Sequence, residues 1–116
     1  MEIHYACEQF GNAVHELAVN PGRIKERLIR ACVDHVHHAS SLSANVSPDL
    51  NGAIADVQPR ATTLPGGEPG SITFAIEAVT EDEASDVANQ ICEIAMRLDA
   101  EAIDLASIRR HPAADQ

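Results

Sequence analysis

From Thr80 onward about thirty residues pass without a glycine or a proline, until His111-Pro112. Apolar residues recur along them every three or four positions, and that period belongs to a helix with one buried face. Thr80-Glu81-Asp82-Glu83 opens the stretch as a capping box. The Thr80 hydroxyl can accept from the Glu83 amide, and the Glu83 carboxylate can reach back to the Thr80 amide. Three acids in the first turn also suit the positive end of the helix dipole. The length exceeds that of an ordinary globular helix and leaves room for a break near Asp99-Ala100.

Turning about 100° per residue places Ala84, Val87, Ala88, Ile91, Ile94, Ala95, Leu98, Ala102 and Leu105 in one wide, core-facing stripe. Glu83, Asp86, Gln90, Glu93, Arg97, Glu101 and Asp104 share the opposite arc, which is expected to be wet. Cys92, Met96 and Ile103 form a narrower apolar ridge to one side. A domain of 116 residues buries roughly two-thirds of its unfolded surface and is short of material to cover both stripe and ridge.

That length is read as a single domain over residues 1–116. With no Trp, one Tyr and two Phe, the core must come from aliphatic residues and alanine. Sparse aromatics also argue against a surface that stacks bases or sugars. The formal net charge is −10, which argues against direct binding to DNA or RNA. Most of it lies between Glu77 and Asp104, where nine acids face Arg97 alone. Basic residues concentrate at Arg23, Lys25, Arg27 and Arg30. The simple expectation is that this basic stripe packs or pairs with the acidic arc. The sharper ones are a docking patch for an acidic partner or a phosphate, and an acidic face that imitates nucleic acid toward a basic partner.

Cys7, Cys32 and Cys92 are odd in number and follow no zinc-finger or redox spacing, so they read as buried thiols of a reducing cytoplasm. Met1-Glu2-Ile3-His4 lacks the charged and apolar regions of a signal peptide. No apolar run is long enough to span a membrane.

Taken in order, residues 4–18 read as a helix carrying Cys7, Phe10, Val14, Leu17 and Ala18 on one face. Gly11 interrupts it at a cost of up to ~1 kcal/mol relative to alanine and suggests close approach by another backbone. Asn20-Pro21 reads as an N-cap followed by proline at the first helical position, so a second helix follows after a short link. The link favours a helical hairpin. A DNA-reading helix-turn-helix is disfavoured by the charge.

The second helix carries Ile24, Leu28, Ala31, Cys32, His35, Ala39 and Leu42 in one stripe, widened by Ile29, Val33 and Val36, and frays at Ser40-Ser41. Ser47-Pro48 starts a third helix with Leu50, Ile54 and Val57 inside, and Pro59 is expected to stop it. Thr62 to Gly70 is a turn-rich loop. Ser71 to Val79 alternates, with Ile72, Phe74, Ile76 and Ala78 on one side, and reads as a strand. The expected fold is therefore α-rich α+β: a helical hairpin and a long C-terminal helix with one strand or a short hairpin. If no partner strand exists, this stretch is helical and the fold all-α.

Asp34-His35-Val36-His37-His38 is the cluster that invites a site. Asp34 with His38, and His35 with His38, have helical ligand spacing. A third ligand would have to come from His4, His15 or His111. Because His35 falls in the apolar stripe, Asp34, His35 and His38 are expected to hold no transition metal. Cys32 and His35 lie on the core stripe, away from the accessible, electropositive setting that a catalytic thiol needs. Pro65-Gly66-Gly67-Glu68-Pro69-Gly70 lacks the lysine and following helix of a phosphate loop. The acids of the last helix share one solvated arc rather than two unlike environments.

The functional expectation is a small, non-enzymatic, cytoplasmic interaction protein. It would act as adaptor, regulator or inhibitor of another protein, as a homodimer without cofactor or membrane span. Candidate contact residues are Arg23, Arg27, Arg30, Cys92, Met96 and Ile103. The alternatives are an acidic nucleic-acid mimic and a metal protein built on the histidine cluster.

Overall fold

The computed structural model describes residues 2–19, 22–40, 45–62 and 70–110, without the side chains of Ser40 and residues 108–110. The Asn20-Pro21 cap, Ser41, Leu42, the glycines at 66 and 67, and His111 lie outside the described residues. The chain forms α1 (Ile3–Val19), α2 (Ile24–Ala31), a π-helical turn (Cys32–Val36), α3 (His37–Ser40), α4 (Pro48–Thr62), α5 (Ile72–Ala78) and α6 (Glu81–Arg110). No helix among the described residues is long and apolar enough to cross a membrane.

The long C-terminal helix is continuous, and Asp99-Ala100 does not break it. At 30 residues it is about 45 Å long, and it sets the long axis of a molecule 55 × 29 × 20 Å in extent. One half of its capping box forms: the Glu83 amide donates to Thr80 Oγ1 at 3.1 Å. Ala84, Val87, Ala88, Ile91, Ile94, Ala95 and Leu98 are buried. They join Ile3, Ala6, Phe10, Ala13 and Leu17 of α1, Leu28 and Ala31 of α2, and Leu50, Ile54, Val57 and Ala61 of α4 in one cluster.

The strand is the largest correction. Residues 72–78 are helical, no strand occurs among the described residues, and the fold they form is all-α. Ser71 caps α5 by accepting from the Phe74 amide at 3.2 Å. Ile72, Ala75, Ile76 and Val79 then turn toward the body, while Phe74 stays 69% exposed. Five of the seven residues 72–78 are apolar, so the run satisfies a period of two and a period of 3.6 alike. A helix bonds its own backbone, whereas a strand without a neighbour cannot.

Three smaller corrections follow from the same accounting. Pro59 lies inside α4, which runs on to Thr62. Proline there deprives the carbonyl four residues earlier of its donor. That residue, Ala55, is exposed, so water can serve instead. The second helix begins at Ile24, later than the Asn20-Pro21 cap implied, after Gly22 takes φ 122°. Gly11 is not a site of close approach: a Cβ there would meet nothing within 4 Å. Gly11→Ala is therefore expected to stabilise the protein by about 0.5–1 kcal/mol. A lower midpoint in urea denaturation would show that the position is not open.

α2, the π turn and α3 form one rod, with helical dihedrals at both junctions. The His37 amide donates to the Cys32 carbonyl five residues back. Cys32 and Val36, four residues apart, are both in the core. His35 does not join the buried stripe; its side chain is 21% exposed. Val33, expected to widen the stripe, is 42% exposed.

Candidate functional site

The basic residues of α2 are partly consumed by the fold, through carbonyls rather than carboxylates. Arg27 Nη1 donates to the Leu17 carbonyl at 2.7 Å. Lys25 Nζ donates to the Glu77 carbonyl at 3.1 Å. Both carbonyls lie in the last turn of a helix, α1 and α5, where backbone acceptors have no intrahelical partner and the dipole favours a cation. Arg27 Nε is buried without a partner. Arg23 and Arg30 are exposed.

The acidic arc is mostly wet. Glu83, Asp86, Glu93, Arg97 and Asp104 are exposed. Two residues assigned to it join α4 to α6 instead. Glu101 accepts from the Ser47 amide at 2.8 Å and the Ser47 hydroxyl at 2.7 Å. Gln90 accepts from Arg60 Nη1 and donates to the Ala53 carbonyl at 3.4 Å. Among the described residues, His35 with Glu16 is the one ion pair, so the basic stripe does not pair with the acidic arc.

The ridge on α6 divides. Cys92 is half-buried against the core, while Met96 is 72% and Ile103 68% exposed. Phe74 does not cover them, as it is itself exposed on α5. Past Leu98 the core stripe of α6 outruns the body: Ala102 is half-buried and Leu105 is 38% exposed. An open groove of about 490 Å³ follows, lined by Glu2, Ile3 and His4 of the chain start, Asn45, and Ala102, Leu105 and Ala106 of α6. The sequence gives no sign of this groove, because its two walls are a hundred residues apart.

The histidine cluster is also rearranged. His37 and His38 are exposed and meet edge to face, with ring centroids 5.7 Å apart, and His37 Nδ1 lies 3.2 Å from Gln58 Nε2. His38 does not join Asp34 and His35. Glu16 of α1 does: one ligand atom from each of Glu16, Asp34 and His35 lies within 4.8 Å of the others. Glu16 thus stands where spacing in the sequence pointed to His4, His15 or His111. His4 lines the distant groove, and His15 is exposed beside Glu16 in the chain.

Cys32 and Cys7 are poor nucleophiles. Burial pushes Cys32 up to about 12, and it is 1% exposed. Burial first, then the neighbouring Asp99 charge and hydrogen bond, raise Cys7 as well. Both stay protonated at neutral pH, so the Cys32–His35 pair has no thiolate to offer.

No family model, no curated protein and no solved structure matches the chain.

Proposed function

We propose that the protein is a non-enzymatic interaction module that pairs with a second copy of itself through the C-terminal half of α6. The observation that supports this is the exposure of Met96 and Ile103 on one side of a helix whose adjacent core stripe also runs past the body. The two residues lie seven positions apart, so they share a face about 10 Å long.

Charge permits a twofold contact there. Asp99 borders the ridge on its core side; going round the helix the other way, and leaving aside Asp82 in the first turn, the next residues are Asn89, Ala100 and Ser107. All three are exposed and uncharged. Two copies can therefore meet on ridge and flank with their acidic arcs turned outward. Twofold dimers are the commonest assembly. A stable interface needs about 1,200 Å² in total, more than two side chains supply, so the uncharged flank and Ala106, one turn from Ile103 and exposed, must contribute.

Light scattering should give a dimer mass at micromolar concentration. Met96→Asp combined with Ile103→Asp should give a folded monomer by circular dichroism. A monomeric unmodified protein would end the proposal, as would a dimer that survives both substitutions.

A second reading has its own support: the exposed acids of α6 are not paired by basic side chains among the described residues. Such a face suits a basic partner, including a protein whose nucleic-acid site it occupies. A pull-down from host lysate across salt concentrations tests it. Capture of nucleic-acid-binding proteins, displaced by added duplex DNA, supports mimicry. Capture indifferent to salt and DNA counts against it.

A further inference from the structure

We infer that Glu16, Asp34 and His35 form a binding site for a divalent transition-series cation, with zinc the probe of choice. The set offers one imidazole nitrogen and two carboxylate oxygens from two packed elements, their ligand atoms within 4.8 Å of one another. His35 Nε2 lies 3.9 Å from Glu16 Oε1.

Bonds of about 2.0–2.2 Å to zinc hold neighbouring ligand atoms about 3–3.5 Å apart. The three groups must therefore close by about 1 Å, within reach of rotations about their side-chain bonds. Their backbones are well anchored. Leu17 beside Glu16 is buried, and Cys32 and Val36 on either side of the pair Asp34-His35 are buried.

Asp34 and His35 lie within the single π-helical turn Cys32–Val36, which packs against α1, and a ligand atom of each comes within 4.8 Å of one from Glu16. Such single π turns inside helices are frequent at functional sites.

Nitrogen with oxygen is a mixed donor set, which suits zinc and its neighbours in the transition series over magnesium. Side-chain exposures of 21% for His35 and 27% for Glu16 leave room for water to complete the coordination. The set is new relative to the histidines considered from sequence. His38 is replaced by Glu16, and the reason for expecting no metal, burial of His35 in the apolar stripe, does not hold.

Equilibrium dialysis of chelator-treated full-length protein against zinc chloride at pH 7 should saturate at one ion per chain. Glu16→Gln, Asp34→Asn and His35→Ala should each weaken binding tenfold or more. His37→Ala with His38→Ala should leave it unchanged, and excess magnesium should not compete. Zinc should raise the melting temperature of the unmodified protein but not of Glu16→Gln. Should His35→Ala fail to fold, Glu16→Gln and Asp34→Asn, which nearly keep side-chain shape, decide the matter. The inference is overturned by absence of saturable binding up to about 1 mM zinc. It is overturned equally by binding that depends on His37 and His38 and survives the three site substitutions.

Discussion

Leu28→Ala is expected to lower the unfolding free energy by about 2–5 kcal/mol, the range for truncating a fully buried leucine. Leu28 is 0% exposed and belongs to the cluster that joins α1, α2, α4 and α6. The loss has two parts: apolar surface no longer removed from water, and the cavity left where neighbours cannot collapse. Helices from four parts of the chain meet in this cluster, so little collapse is available and the upper half of the range is expected. Glu93→Ala is the control. Glu93 is exposed, and isolated surface changes stay within about 0.5 kcal/mol. Urea denaturation measures both. Equal, small effects would mean that the helix faces described above are wrong.

Glu101→Ala is expected to cost about 1–3 kcal/mol, far more than its neighbours on the acidic arc. Its carboxylate accepts two hydrogen bonds from Ser47, at 2.8 and 2.7 Å, both partly buried. Hydrogen bonds to a charged group contribute about 1.5–3 kcal/mol when buried, and partial exposure lowers that. The Ser47 amide immediately precedes α4, so removing Glu101 also loosens that helix start. Glu101→Gln should cost less. Its amide oxygen can still accept from the backbone and its nitrogen can donate to the hydroxyl. A Glu101→Ala effect no larger than that of Glu93→Ala would show that the contact adds nothing to stability.

Much of α6 was legible because local rules governed it. Thr80 and Glu83 specify the cap, the lack of glycine and proline lets the helix run, and the period of its apolar residues marks the buried face. Gln90 and Glu101 break that reading. Both sit on the polar arc by angle, yet both bond to α4. Helical angle tells which way a side chain leaves its helix, not which other helix stands there.

The candidate site was legible by halves. Asp34 and His35 stand out as metal-ligating types, but Glu16 is one acid among eighteen acidic residues and has no sequence mark. The π turn that carries Asp34 and His35 follows from no residue signature in Cys32–Val36.

By itself the sequence determined the α-rich character, the start of α6 and the face it buries, and the uneven charge. These depend on residues within a few positions of one another. Tertiary structure decided the state of residues 72–78, the continuation of α4 past Pro59, the use of Arg27 and Lys25 at helix ends, and the meeting of Glu16 with His35. Each depends on what lies across a packed interface. An ambiguous apolar run becomes a helix where no strand is present to bond it. A cation settles where unpaired carbonyls face it, and distance along the chain carries no information about either.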